Sequence, residues 1–374
     1  FRDNTSAYSA IIKFPASDYI ANISIEHCKF GCKGIDLDKK DFTQSVNTEY
    51  CKQYLHVNTA HVFSMHHCIV NVVNYEDGYY GDSNNPVNVY NAHFFSVSDI
   101  DVFTTTSQYG GDYGPGGGTM LNFSNGSWGG AYSDYENIRF HILVNDTWGY
   151  MPQLFYSAVN DHCVLRNITV DVLERRLGTG EPTTYSVSQY MIRSHGSREF
   201  LIENISVNLP KCWRITEYGR VVSLSGFCNS SIPGHCKSVK NVTINMAESD
   251  GVDSEYNGNY YDWIKYGTTE PGQYPCFSAL EMSFSERNYS EGSWEPVIVR
   301  GISVKHPHGV ALYAYGCQLR DCNIKGTVKL RRCVADIDSV ESYYPGSVCG
   351  RSLYAARGNV NARQGQCCSH RRSR

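Results

Sequence analysis

A short pattern recurs along the chain and constrains the fold more than any other feature of the sequence. Each copy begins with Asn, Asp or Gly, after which apolar, mostly β-branched residues alternate with polar ones. The copies are NISI (22–25), DIDV (99–102), NIRF (137–140), NITV (167–170), NISV (204–207), NVTI (241–244), GISV (301–304) and DCNI (321–324). This alternation is typical of a strand with one buried face. Because Asn, Asp and Gly tolerate left-handed backbone angles, each copy predicts a turn followed by a strand.

The spacing of the copies indicates how these strands are arranged. From Asp99 onward, successive copies are 38, 30, 37, 37, 60 and 20 residues apart. A strand-turn unit that repeats with variable insertions indicates β-coils stacked over one core. The pattern resembles the right-handed parallel β-helix of the pectin-lyase-like superfamily, and it is clearest over 297–339. The resemblance implies an all-β solenoid with long loop insertions, while an antiparallel β-sandwich is the alternative because its strands alternate too.

Differences in composition along the chain predict its division into a domain and a tail. We expect a solenoid domain over residues 1–340, followed by a Cys/Arg-rich tail over 341–374. Two segments interrupt the repeat: a Gly- and Ser-rich stretch near 104–133, and an acidic and aromatic stretch near 246–296. Both are predicted to be exposed loop insertions, where proteins with a rigid scaffold commonly carry binding residues.

Acceptor triplets for N-linked glycans are frequent in this chain. They begin at Asn4, Asn22, Asn122, Asn125, Asn145, Asn167, Asn204, Asn229, Asn241 and Asn288. These triplets predict glycosylation, and therefore an extracellular surface protein that passes through the secretory pathway. The repeated N-I-S/T-V pattern would itself create four of the ten triplets as a by-product.

The 15 cysteines point to the same compartment. In a glycosylated chain they predict disulfides, for which Cys28–Cys32 and Cys317–Cys322 are candidate local pairs. Zinc is the alternative, but no C-x2-C pair or H-x3-H partner supports it, so no metal site and no cofactor is predicted. The adjacent Cys367 and Cys368 are expected to have separate partners, because a bond between neighbouring cysteines is strained.

The segment Arg371, Arg372, Ser373 and Arg374 fits the R-x-x-R pattern. It resembles the recognition sequence of furin-like proprotein convertases, which implies cleavage after Arg374. Together with the glycosylation triplets and cysteines, the chain resembles the receptor-binding subunit of an enveloped-virus surface glycoprotein. That resemblance implies a place on the virion surface and a host-cell receptor (protein or glycan). It also implies a downstream membrane-anchored subunit from the same precursor, assembly into a homo-oligomer and no nucleic-acid partner.

Processing gives the first testable prediction. Changing Arg371 and Arg374 to Ala together should leave the precursor uncut in secretory cells, because the convertase reads both arginines. Immunoblotting of the precursor and its products measures the outcome. Normal cleavage of the double variant would contradict the predicted processing site.

No catalytic residue is predicted. The polygalacturonase-like motifs N-x-D, D-D, G-H-G and R-x-K are not complete here, although SHGS (194–197) holds a His-Gly step. GDS (81–83) resembles the nucleophile block of SGNH esterases, but no apolar strand precedes it, so Ser83 is expected to be a loop serine. Asp99 and Asp101 are predicted to be solvent-facing strand residues without a partner. The chain is therefore predicted not to be an enzyme, with a secreted carbohydrate-active β-helix enzyme or a structural extracellular glycoprotein as alternatives.

Two windows lack glycosylation triplets, and both are candidate interfaces because a glycan cannot be buried in a protein contact. Residues 23–121 are predicted to pack on a partner subunit or receptor. The C-terminal window is basic, since residues 300–374 hold 13 Lys/Arg against 4 Asp/Glu. We expect residues 300–374 to pack against the downstream subunit through this charge.

Overall fold

The structure is a computed structural model, and most of the residues that it describes lie in β-strands. The described residues are 10–14, 22–32, 53–72, 85–106, 118–125, 131–144, 150–158, 161–176, 185–187, 189–209, 212–215, 219–227, 237–246, 278–285, 296–331, 333–341, 353–356 and 360–364. They form strands and no helix, so no apolar helix of membrane-spanning length occurs in them.

Twenty-five strands follow one another in the described residues. In order they are β1 (Ala10–Phe14), β2 (Asn22–Glu26), β3 (Lys29–Phe30), β4 (Gln53–Val57), β5 (Ala60–His66), β6 (Ile69–Asn71), β7 (Val87–Tyr90), β8 (Ala92–Thr105), β9 (Leu121–Ser124), β10 (Tyr132–Val144), β11 (Phe155–Ala158), β12 (His162–Arg176), β13 (Tyr185–Val187), β14 (Tyr190–Ser197), β15 (Glu199–Asn208), β16 (Cys212–Ile215), β17 (Arg220–Phe227), β18 (Lys237–Asn245), β19 (Ser278–Ser285), β20 (Val297–Arg300), β21 (Ser303–Tyr315), β22 (Cys317–Arg331), β23 (Val334–Glu341), β24 (Leu353–Ala356) and β25 (Val360–Gln364).

Strand pairing within the described residues is parallel throughout. A first row pairs β1, β4, β7, β9, β11, β14, β17, β19, β21, β22 and β24 in that order. A second row pairs β2, β5, β8, β10, β12, β15, β18, β20, β22, β23 and β25. A third row starts with β3 and β6 and continues through the C-terminal halves of β8, β10 and β12. The all-β class is confirmed, and the antiparallel sandwich is wrong for these strands because they pair in parallel.

The left-handed turns predicted from the repeat are present. One such residue separates the second row from the third in each of nine successive layers, with φ between 53° and 67°. The residues are His27, His67, Asp99, Asn137, Asn167, Asn204, Asn241, Gly301 and Asp321. The pattern therefore marks the turn in seven of its eight copies. In the first copy Asn22 lies inside β2, before the buried Ile23 and Ile25, and His27 takes the turn.

Side-chain amides join these turns into a ladder. Asn137 Nδ2 donates to Asp99 Oδ1 at 3.1 Å, and Asn167 Nδ2 donates to Asn137 Oδ1 at 3.0 Å. Asn204 Nδ2 donates to Asn167 Oδ1, and Asn241 Nδ2 to Asn204 Oδ1, both at 3.0 Å. Identical amides in register on parallel strands bond in this way because the strand spacing matches one hydrogen bond. The ladder thus ties five successive layers together at the same turn.

Apolar side chains in register form the core. In the first row from β4 to β22, one inward position is filled in every layer by a residue that is at most 1% exposed. These residues are Leu55, Val87, Leu121, Phe155, Ile192, Val222, Leu280, Leu312 and Val328. Because each one covers the next, the buried area grows with every added layer, and this hydrophobic burial stabilises the stack.

The predicted insertions contain strands of the first row. Within 104–133, β9 pairs with β7 and β11, and within 246–296, β19 pairs with β17 and β21. Residues 107–117, 126–130, 247–277 and 286–295 lie outside the described residues. Parallel pairing also continues beyond residue 340, since β24 and β25 pair with β22 and β23. The sequence did not reveal β9, because this strand lies in a Gly- and Ser-rich segment. Its four residues are also too few to show an alternation of apolar and polar residues.

Candidate functional site

Five aromatic rings form a continuous row on the outside of the second row of strands. This aromatic strip consists of His61, His93, Phe94, Tyr132 and His162. The Phe94 and Tyr132 rings are stacked, with centroids 5.6 Å apart and planes 16° apart. His162 lies 6.0 Å from Tyr132, and His61 lies 5.5 Å from Phe94 and 5.7 Å from His93. The strip therefore crosses the successive strands β5, β8, β10 and β12.

Strand register places these rings on the outer face. Phe94 pairs with Tyr132, and Tyr132 pairs with His162. The following residue in each strand points inward and is buried, as Phe95 and Cys163 show. Since successive side chains in a strand point to opposite faces, the rings of Phe94, Tyr132 and His162 must face outward. Phe94 and Tyr132 are 41% and 50% exposed, which makes them two of the few large apolar side chains exposed in the described part of the chain.

The stacking determines which part of each ring is accessible. Phe94 and Tyr132 turn their faces toward each other, so mainly ring edges point away from the sheet. His162 is held at the end of the strip by a 3.0 Å contact between its Nδ1 and Glu199 Oε2. The strip is thus an apolar ridge with polar groups at its ends, a combination common where proteins bind one another.

A second cluster of side chains surrounds Asp101, which was expected to have no partner. Arg139 donates from Nε and Nη2 to both carboxylate oxygens of Asp101, at 2.8 and 2.7 Å. His141 Nε2 lies 2.9 Å from Asp101 Oδ1, and its ring stacks on Phe103 at 4.6 Å. Burial raises the pKa of Asp101, but hydrogen bonds from His141 and Arg139 outweigh it and hold the pKa well below its usual range. Asp101 therefore keeps its negative charge. It can attract a positively charged group, but it is not suited to donating a proton.

Asp99 has partners as well. Its Oδ1 accepts the ladder hydrogen bond from Asn137, and its Oδ2 lies 3.6 Å from His67 Nδ1. The expectation that Asp99 and Asp101 lack partners was wrong, because those partners stand on neighbouring strands about 30 to 40 residues away in sequence.

The His-Gly step noted in SHGS lies in a third cluster, on the outside of the first row. His195 Nδ1 is 2.6 Å from Ser225 Oγ. The pKa of His195 is lowered, first by burial and then by the positive charge of Arg193. The Arg193 guanidinium lies over the rings of Tyr156 and Tyr190, at 5.4 and 4.4 Å from their centroids. A neutral imidazole beside a stacked guanidinium can accept or donate a hydrogen bond at neutral pH.

The structure divides the predicted glycosylation residues by environment. Asn22 is exposed, whereas Asn122 and Asn125 are 7% and 6% exposed, and Asn122 Nδ2 donates to Asn88 Oδ1 at 3.0 Å. Asn167, Asn204 and Asn241 donate their Nδ2 groups within the ladder. A glycan attaches at Nδ2, so folding and modification compete for that atom at these five positions. The residues Asn4, Asn145, Asn229 and Asn288 lie outside the described residues.

The candidate local pairs Cys28–Cys32 and Cys317–Cys322 are not joined in the structure. Cys317 and Cys322 lie on either side of the left-handed turn at Asp321 in β22, and their Sγ atoms point to different carbonyl groups, those of Tyr315 and Arg320. Cys28 and Cys32 flank β3, and their Sγ atoms point to different carbonyl groups, those of Glu26 and Phe30.

Other predicted residues are placed as follows. Within the described residues, no group of three or more His, Cys, Asp and Glu side chains is arranged to hold a metal ion. Ser83, Cys367, Cys368 and the segment Arg371–Arg374 lie outside the residues that the structure describes.

Sequence reasoning missed the aromatic strip, although the repeat contained a signal for it. Phe94, Tyr132 and His162 each stand five positions before a left-handed residue of the ladder. Counting back from each repeated Asn or Asp would have aligned the three rings.

Comparison with known proteins found no family model that matches the chain, and no curated protein or solved structure that is similar to it.

Proposed function

We propose that this chain is the receptor-binding subunit of an enveloped-virus surface glycoprotein, and that the aromatic strip contacts the host-cell receptor. The observation that carries the proposal is the pair of exposed, stacked rings Phe94 and Tyr132 on a rigid sheet face. Aromatic side chains supply large contact areas at low cost in conformational entropy, and they dominate the energy of many interfaces.

The proposed scaffold is a right-handed β-helix solenoid. This architecture is supported by three rows of parallel strands and by left-handed turns in nine successive layers. The core of register-matched side chains also supports it. Such a stack holds its outer side chains in fixed register, so little ordering is needed when a partner binds.

We propose a protein receptor rather than a glycan. Sugar rings stack on aromatic faces, whereas the faces of Phe94 and Tyr132 are turned toward each other. A ridge of ring edges fits an apolar groove on a protein instead. His61, His93 and Phe94 also lie in the window 23–121, which has no glycosylation triplet after Asn22 until Asn122.

The proposal includes a membrane-anchored partner subunit and assembly into a homo-oligomer. Supporting evidence is the basic charge of residues 300–374, which would attract the acidic remainder of a neighbouring subunit. Cleavage at Arg371–Arg374 and residence on the virion surface belong to the same proposal.

A glycan placed beside the strip tests receptor binding. Ser96 lies two residues after Phe94 on the same outer face, and Ser96→Asn completes an acceptor triplet with Ser98. We expect glycosylated Ser96→Asn to lose cell binding, because a bulky hydrated glycan excludes the receptor. Flow cytometry with the purified chain measures the loss, and mass spectrometry measures glycan occupancy.

The matched control places a glycan on the outer face far along the stack. Ser303→Asn with Lys305→Thr creates a triplet at the start of β21, where Lys305 is exposed. The purified chain is tested without the downstream subunit, so this variant should bind cells as the parent chain does. Unchanged binding by fully glycosylated Ser96→Asn would overturn the assignment of the strip.

A further inference from the structure

Two cysteines face each other across adjacent layers near the N-terminal end of the stack. In the second row Glu26 pairs with His66, and in the third row Lys29 pairs with Ile69. Two residues lie between these pairs in each chain segment, so the register continues through them. It places His27 opposite His67 and Cys28 opposite Cys68.

Contacts around the turn agree with this register. The rings of His27 and His67 are stacked, with centroids 5.1 Å apart and planes 14° apart. The backbone N–H of Ile69 donates to the carbonyl oxygen of Cys28 at 2.9 Å. Both turn histidines have left-handed φ, 53° and 54°, so the two layers follow the same path through the turn.

The two thiols point to the same side of the sheet. Cys68 is 1% exposed and its Sγ lies 3.7 Å from the carbonyl oxygen of Ile25, in the layer that holds Cys28. Cys28 is half-buried, and it lies close enough to the Cys68 thiol to be one of the groups that shift the pKa of that thiol. Neighbouring strands lie about 4.8 Å apart, which falls inside the range of Cα separations that a disulfide spans.

We propose that Cys28 and Cys68 form a disulfide that links the first two complete layers of the stack. The oxidant is a protein or small-molecule disulfide of the secretory compartment. Cys28 attacks one donor sulfur as a thiolate and releases one donor thiol. Cys68 then attacks the Cys28 sulfur in the mixed disulfide and releases the second thiol, so two cysteine thiols are oxidised while one donor disulfide is reduced to two thiols.

Burial determines when the bond forms. Burial raises the pKa of the Cys68 thiol to about 11, so its thiolate is scarce in the folded stack. Because the thiolate is the nucleophile, exchange is fast only while the layer is still open. The bond therefore forms during folding in the secretory pathway, and a chain that folds reduced stays reduced for a long time.

A metal site is the competing use of two cysteines and two histidines. The described residues contain no group of these side chains arranged around a common ion position. Cys163 provides the contrast within the same stack, since its register partners are Ser133 and Phe200. It is also fully buried, but it faces no cysteine in the layers on either side.

Peptide mapping of the secreted full-length chain tests the pair. Free thiols are alkylated under denaturing conditions, the chain is digested without reduction, and linked peptides are identified by mass spectrometry. We expect the Cys28 and Cys68 peptides to be joined. In Cys28→Ser, Cys68 should become fully alkylated, whereas Cys163→Ser should keep the Cys28–Cys68 link.

The map of the unmodified chain decides the matter even where a variant fails to be secreted. Alkylation of both cysteines without reduction would overturn the proposal, and so would a bond from Cys28 to any other cysteine. The inference does not depend on receptor binding, so its failure would leave the aromatic strip assignment standing.

Discussion

Replacing Asn204 by Val is expected to lower the free energy of unfolding by about 3–4 kcal/mol. Asn204 has φ 57°, and left-handed backbone costs a side chain without a local hydrogen bond roughly 1–2 kcal/mol. The substitution also removes two ladder hydrogen bonds, to Asn167 and from Asn241, worth about 1 kcal/mol each. Denaturant unfolding of the parent and variant chains measures the difference.

Ser206→Val is the matched control for Asn204→Val. Ser206 lies on the exposed face of the same strand, and its replacement removes the same glycosylation triplet. Its stability should therefore stay within about 0.5 kcal/mol of the parent. Asn204→Gly separates the two causes, because glycine keeps the left-handed angle and loses only the hydrogen bonds. Equal losses for Ser206→Val and Asn204→Val would contradict the ladder.

The left-handed turns could be predicted from sequence because their cause is local. A left-handed turn needs Asn, Asp or Gly, and the strand after it needs alternation, so both signals lie within four residues. The signal fails where another residue takes the turn. His27 and His67 adopt left-handed angles without belonging to any copy of the pattern, and the ring stacking that supports them joins separate layers.

The candidate site could not be predicted in the same way, because strand register creates it. Phe94, Tyr132 and His162 come from three separate segments, and only parallel pairing brings their rings together. Asp101 likewise meets Arg139 and His141 from the next strand. Insertions of variable length between layers hide this register from any window of sequence.

Phe94→Ala and Tyr132→Ala are each expected to weaken receptor binding about 30-fold or more. Truncating an aromatic side chain central to an interface commonly costs about 2 kcal/mol or more, and tenfold in Kd corresponds to about 1.4 kcal/mol. Because both rings are already largely exposed, the free energy of unfolding should change by less than about 1 kcal/mol. Surface plasmon resonance against receptor-bearing membranes and denaturant unfolding measure the two effects.

Binding of the Phe94→Ala, Tyr132→Ala double variant to receptor-bearing cells tests the central claim most directly. Ile298→Ala is the control, since Ile298 is also 41% exposed but lies on β20, away from the strip. We predict that the double variant loses binding while Ile298→Ala and the parent chain bind equally, before and after enzymatic removal of cell-surface glycans. Full binding by a folded double variant, or loss of parent binding after glycan removal, would contradict a protein receptor that binds at the aromatic strip.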